Sequence, residues 1–284
     1  MSQGHITQEM YDKCREYHIK NYPIWWNRMV DEWTSGLFDH HLWVTGSSSY
    51  FVRLKNVMWA VDPVWLMRGT FQAIEDRLEK DLQILDFILL THEHDDHFNP
   101  DSAYKLRNLP VRWIAPKCMK NHLLNAEIPE ENCSFLEPGD IITIRNIQIR
   151  AYQGHHHYLN GQTGPDSLMY GVHTSDECIL FPSDMRSFCT EYMPSGIHYN
   201  TIVLHMYLSY EFPYKDYYQP LISFVADLDV DQLFVGHLYG LHCAGPGHLW
   251  NFAHVGMLED GLFCQRPELP IIPLKIGNRY SIIL

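Results

Sequence analysis

Four consecutive apolar residues, Phe87-Ile88-Leu89-Leu90, pass directly into Thr91-His92-Glu93-His94-Asp95-Asp96-His97. A short, fully apolar run of this kind reads as a buried strand. His92, His94, Asp96 and His97 leave its C-terminal end, which is where α/β proteins place their ligand sites. A single turn there can aim all four side chains at one point. Neutral imidazoles with a carboxylate suit Zn²⁺, Fe²⁺ or Mn²⁺ better than calcium. A polar surface loop rich in histidine is the bland alternative, but it does not account for H-x-H-x-D-H placed directly after a buried strand.

The rest of the chain is organised to match. Residues 7–34 read as helical, with Thr7 as cap and Ile6, Met10, Cys14 and Tyr17 at helical spacing. Pro23 is expected to open a second helix, Ile24–Trp33, stopped by Thr34-Ser35-Gly36. Strands are expected at 41–45, 49–54 and 57–61, with Lys55-Asn56 as a tight turn. A helix is expected from Gly69-Thr70 with Phe71, Ile74, Leu78 and Leu82 as its apolar face. Another should start at Asn99-Pro100, a cap followed by a first-turn proline. Val111–Ala115 reads as a strand and Pro116 as the start of a helix. Hairpins follow at 141–151, across Arg145-Asn146, and at 167–181. Strands at 201–206 and 233–236 flank a helix near 217–228, and 251–260 reads as a last helix. Hairpins followed by β-α units, in two similar halves, suit an α/β protein of two sheets packed face to face with helices outside. No repeat or composition break marks a linker, so residues 1–284 read as one domain with residues 1–38 as a helical N-terminal extension.

Composition narrows the function classes. Acidic residues outnumber basic ones, 34 to 21, for a net charge of −13, which opposes nonspecific binding to nucleic acid or anionic membranes. Histidines number 18, nearly as many as Lys and Arg together. Seven cysteines, none in a C-x-x-C pair, form neither a disulfide framework nor a zinc ribbon. The polar first ten residues predict no secretory leader, and no run approaches the roughly 18 apolar residues of a membrane span. The expected location is the cytoplasm.

The H-x-H-x-D-H loop resembles that of the metallo-β-lactamase superfamily, whose loop binds two metals, and the resemblance continues down the chain in order. Gly154-His155-His156-His157 follows one strand, Phe181-Pro182-Ser183-Asp184 ends another, and Phe234-Val235-Gly236-His237 ends a third. The branch most similar is that of the L-ascorbate-6-phosphate lactonases. It is carried by Pro23-Ile24-Trp25-Trp26-Asn27, His41-Leu42-Trp43-Val44, the 91–97 loop and Leu136-Glu137-Pro138-Gly139-Asp140.

The resemblance implies a four-layer αβ/βα sandwich of two mixed sheets with external helices. It implies two divalent ions, zinc in the first place and manganese or iron as alternatives. His92, His94 and His156 would hold the first, with His155 as the alternate for His156; Asp96, His97 and His237 would hold the second, and Asp184 would bridge them. Asp96, Asp184 and His205 are the candidate catalytic residues, with His205, His242 or water as proton donor to the leaving group. Arg186 and His242 are candidate substrate contacts. His94 argues against the oxygen-reducing di-iron branch, which has H-x-E-x-D. Asp184 stands where the main zinc β-lactamases carry Cys.

The implied function is hydrolysis by a metal-bound hydroxide of a small ester, lactone or phosphorylated metabolite. The alternatives are a phosphodiesterase acting on a phospholipid or nucleotide, and a non-catalytic metal-binding protein on the same fold. The expected partner is a small molecule, not nucleic acid or membrane. The Trp-rich N-terminal segment is a candidate contact between copies of the chain.

Overall fold

The computed structural model describes residues 7–63, 72–156, 164–185, 188–206, 214–238 and 252–283. The chain opens with α1 (Gln8–Thr34) and then builds one sheet. That sheet holds β1 (His41–Val44), β2 (Tyr50–Leu54), β3 (Val57–Val61), β4 (Phe87–Leu89), β5 (Arg112–Pro116) and β6 (Cys133–Leu136) in spatial order. The second sheet holds β7 (Ile141–Ile144), β8 (Ile147–Gln153), β9 (Leu168–His173), β10 (Cys178–Phe181), β11 (Tyr199–His205), β12 (Val230–Gly236) and β13 (Ile271–Pro273). The final strand, β14 (Arg279–Ser281), returns to the first sheet and pairs with β1. Each sheet is antiparallel where its hairpins lie and parallel where its β-α units lie. Thus β1–β2–β3 and β7–β8–β9–β10 pair antiparallel, while β3–β4–β5–β6 and β10–β11–β12–β13 pair parallel.

Period-two alternation along the strands creates the layers. In β12, Phe234 joins the core between the sheets, while Leu233 and Val235 join a second core on the outer face. In β11, Val203 points one way and Ile202 and Leu204 the other. Strands loaded on both faces are the reason these segments read as continuous apolar runs. The outer core of the second sheet is closed by α5 (Tyr214–Ala226) and α6 (Phe252–Leu262), through Leu221, Val225, Val255 and Leu258. The expected four-layer sandwich is the observed one. Among the described residues, no helix is long and apolar enough to cross a membrane.

Several local expectations change. Thr7 caps α1 through its side chain, but α1 is one helix of 27 residues with Pro23 inside it. Pro23 removes one backbone donor. The helix persists because a buried stripe of Tyr22, Trp26, Met29 and Trp33 runs through that point. The expected face was also wrong, since Met10 and Tyr17 are exposed and Tyr11 and His18 are buried. After the undescribed residues 64–71 the chain forms a 3₁₀ segment, Gln72–Arg77, and only one turn of α-helix, Leu78–Asp81. Both hairpin turns fall as read. Lys55 and Asn56 have φ of 51° and 62°, the left-handed pair of a type I′ turn, and Arg145 has φ of 53°.

Candidate metal centre

All of the candidate residues that are described collect at one end of the sandwich. β4 delivers His92–His97, β8 delivers His156, β10 delivers Asp184, β11 ends in His205 and β12 delivers His237. Three strand ends turn sharply to do this: Asp62 after β3, Ser183 after β10 and His237 after β12 have φ of 45°, 63° and 61°. Left-handed backbone at a non-glycine residue costs on the order of 1–2 kcal/mol and gathers at functional sites. Here it lets each chain leave its strand and aim a side chain inward.

The inward side chains form two quartets that share one carboxylate. His92, His94, His156 and Asp184 make one, and Asp96, His97, Asp184 and His237 the other; within each, one ligand atom per residue lies within 4.8 Å of all the others. His94 is half-buried and the other six are buried. His237 Nε2 lies 3.2 Å from Asp96 Oδ2, and His97 Nε2 lies 3.3 Å from Asp184 Oδ1. On the other side of Asp184, its Oδ2 lies 3.9 Å from His156 Nε2. Four donors at about 2.0–2.1 Å from one zinc ion would stand about 3.3 Å apart, so the quartets have the right chemistry and nearly the right spacing.

A second observation supports the fit. Among the described residues, His92 Nε2 and His97 Nε2 are buried and make no hydrogen bond. Their other nitrogens are held. Asp62 Oδ2 accepts from His97 Nδ1 at 2.7 Å and from Thr91 Oγ1 at 2.7 Å. Thr91 Oγ1, its proton so committed, accepts from His92 Nδ1 at 3.0 Å. Ser183 Oγ stands 3.3 Å from the same nitrogen. Asp62 also accepts the Thr91 backbone N–H at 2.8 Å. One carboxylate therefore orients a histidine of each quartet and leaves both Nε2 atoms facing the cluster, as metal-ligating histidines require.

The electrostatics are those of a site built for cations. Burial alone would raise the Asp184 carboxyl, but the fields of His97 and His237 and a hydrogen bond from His205 hold it well below the usual carboxylate range. Asp96 is lowered in the same way against its burial, chiefly by His97 and His237. His97 and His237 are raised despite burial, by Asp184 and Asp96 and, for His97, by Asp62 as well. His92, which has no carboxylate directly on its ring, is pushed well below the imidazole range by burial and by His97.

Other expectations shift. His155, the alternate to His156, is turned away and stacks on Tyr192 with ring centroids 3.9 Å apart and planes at 10°. Its neighbour takes the inward position because Gly164 N donates to the His156 carbonyl at 2.7 Å, which pins the chain there. A Cβ on Gly164 would overlap both that carbonyl and the His156 ring. His205 is brought to the cluster, but not with a nitrogen free for a substrate. Its Nδ1 is 2.8 Å from Asp184 Oδ1 and its Nε2 is 2.9 Å from the Tyr50 hydroxyl. Both of its nitrogens therefore lie against protein groups. His157, Arg186 and His242 lie outside the described residues.

Sequence reasoning missed Asp62, Thr91 and Tyr50. Asp62-Pro63 at the end of an apolar strand was a usable signal for the first; for Tyr50 there was none. A cavity of about 330 Å³ is lined by Lys117, Cys118, Glu137, Gln153, Asp166 and Ser167, and by no residue of either quartet. It is tied to the histidine loop by Leu168 N donating to Thr91 O at 3.1 Å.

Comparison with known proteins agrees with this geometry. The family described as the beta-lactamase superfamily domain matches residues 41–192, more than half of the chain. An N-acyl-phosphatidylethanolamine-hydrolyzing phospholipase D from Caenorhabditis elegans is 32% identical over 39% of this chain and 36% of its own. The probable L-ascorbate-6-phosphate lactonase UlaG of Escherichia coli is 31% identical over 24% of this chain and 20% of its own. The chain thus spans about a third or less of the length of these curated relatives. Among solved structures, Igni18, a metallo hydrolase from Ignicoccus hospitalis, superposes with a TM-score of 0.62 at 12% identity, covering 86% of this chain and 98% of that one. On its family match, its sandwich of two sheets and its histidine–aspartate cluster, the chain belongs to the metallo-β-lactamase superfamily of hydrolases.

Proposed function

We propose that this chain is a binuclear metal-dependent hydrolase acting on a small ester, lactone or phosphorylated metabolite. The observation that carries the reading is the pair of quartets sharing Asp184. His92, His94 and His156 would hold one divalent ion and Asp96, His97 and His237 the other, with Asp184 between them. When bound, such a pair supplies a nucleophile from water at neutral pH and a positive field for the oxygen of the electrophile.

The chain's own residues do the rest. Asp62 and Thr91 fix the ring orientation of His92 and His97. Asp184, held ionised, would supply negative charge to both ions. Burial of six of the seven side chains keeps bulk water from the charges that develop. The half-buried His94 marks the open side, where substrate would enter.

The matched stretch shared with the phospholipase D supports a second reading, a phosphodiester substrate. A net charge of −13 favours a small substrate over a polynucleotide in either case. The test has two parts. Protein purified without chelator is expected to hold two equivalents of zinc, manganese or iron per chain. A panel of lactones, phosphomonoesters and phosphodiesters should then contain a class that turns over, with Asp184→Ala and His97→Ala at least 100-fold slower. Turnover of phosphodiesters alone selects the second reading. Full metal loading with no turnover on any class would leave a metal-binding protein instead.

A further inference from the structure

Deep in the site, a tyrosine hydroxyl, a histidine and the shared aspartate form a line. Tyr50 starts β2 and is fully buried, yet its hydroxyl is not spent on packing. It donates to Ser47 O at 3.2 Å or lies 2.9 Å from His205 Nε2, depending on where its proton points. His205 Nδ1 lies 2.8 Å from Asp184 Oδ1. Two features show that this line is accommodated by its surroundings. A Cβ on Gly236 would overlap the Tyr50 hydroxyl, so the end of β12 leaves room for it. Ser47 O is already served by His237 N at 2.8 Å, so Tyr50 is not needed there.

We propose that Tyr50 and His205 are positioning residues for Asp184: Tyr50 holds His205 so that its Nδ1–H grips Oδ1, which fixes the carboxylate between the two metal subsites. The inference rests on the binuclear reading. With the Tyr50 O–H donating to Nε2, His205 is neutral and carries its one proton on Nδ1. A neutral imidazole that donates to Asp184 removes one of the four lone-pair positions of that carboxylate and leaves the others for the ions. Without the grip, Asp184 keeps its charge but loses a defined orientation. The residues that hold a ligand in place typically change metal affinity about 10–100-fold when removed.

The experiment is a stepwise zinc titration of the full chain against a chromophoric chelator, with ¹⁵N spectra of the histidine rings of the zinc-loaded protein. His205→Ala should weaken the second zinc equivalent at least 10-fold. His205→Asn, whose amide nitrogen falls where Nδ1 stood, should keep it within about 3-fold. Tyr50→Phe, nearly isosteric, should weaken it several-fold and move the His205 ring signals away from a single Nδ1–H form. His205→Asn as weak as His205→Ala would overturn the inference. So would a Tyr50→Phe protein whose ring signals and zinc affinity match the wild type. Wild-type protein that binds fewer than two equivalents would instead overturn the binuclear reading itself, before any variant is compared.

Discussion

Asp62 shows how much of a metal site lies outside its ligands. It coordinates nothing in either quartet, yet it accepts from His97 directly and reaches His92 through Thr91. Asp62→Asn is a clean probe of that role, because asparagine also tolerates the left-handed backbone found at this position. The amide cannot accept at both oxygens as the carboxylate does, so zinc affinity should fall roughly 10–100-fold. Both equivalents should weaken, whereas His237→Ala should weaken one. Unchanged titration curves for Asp62→Asn would refute the role. The ligand positions themselves were legible in the sequence, since H-x-H-x-D-H packs four of them into one loop and the rest follow strand ends in order. The choice among His155, His156 and His157 was not, because it depends on how Gly164 closes back on the chain. The same is true of Tyr50 and Asp62, whose roles arise from contacts across 155 and 35 residues of sequence.

At the scale of elements, the apolar runs and turn residues were enough to place the inner strands. Three strands escaped: β6, β13 and β14. Each is short or partly exposed, with Ser134, Pro273 or Arg279 breaking the apolar texture. They are held by pairing with neighbours, which no local pattern reports. α1 was legible as helix but not as one helix, because the burial of aromatic residues on both sides of Pro23 overrides the proline. That helix is part of the core. Trp33 is fully buried and packs edge-on to Trp26 at 5.2 Å and against Phe51 at 5.0 Å. Trp33→Ala should therefore cost about 3–5 kcal/mol in urea unfolding, the range for truncating a large buried aromatic. Metal content of the folded fraction should not change, since Trp33 touches no residue of either quartet. A loss below about 1 kcal/mol would mean that α1 contributes little to the sandwich it covers.

For the molecule as a whole, the site brings seven ionisable side chains into one end of the sandwich, and folding and metal binding are therefore linked. Two histidines decide the sign. His97 and His237 are raised above the ordinary imidazole value by Asp184 and Asp96. In metal-free protein they stabilise the fold fully below their unfolded value, and that stabilisation is lost as pH rises through the higher folded value. A metal ion needs both rings neutral, so protons compete with it and its affinity rises over the same interval. In the loaded protein the two effects offset each other over that interval: rising pH weakens the stripped protein while the loaded one holds, so the gap between them widens. Asp96 and Asp184 are held low and stay ionised throughout, so they do not offset this. With free zinc about 1,000-fold above its dissociation constant, binding adds about 4 kcal/mol. For a chain of this size that corresponds to a rise in Tm on the order of 10 °C. Calorimetry of zinc-loaded and chelator-stripped protein should therefore show a Tm gap of that order near pH 8, shrinking steadily toward pH 5.5. A gap that stays constant across this range would mean that His97 and His237 do not exchange protons for metal, and the second quartet could not be a metal subsite.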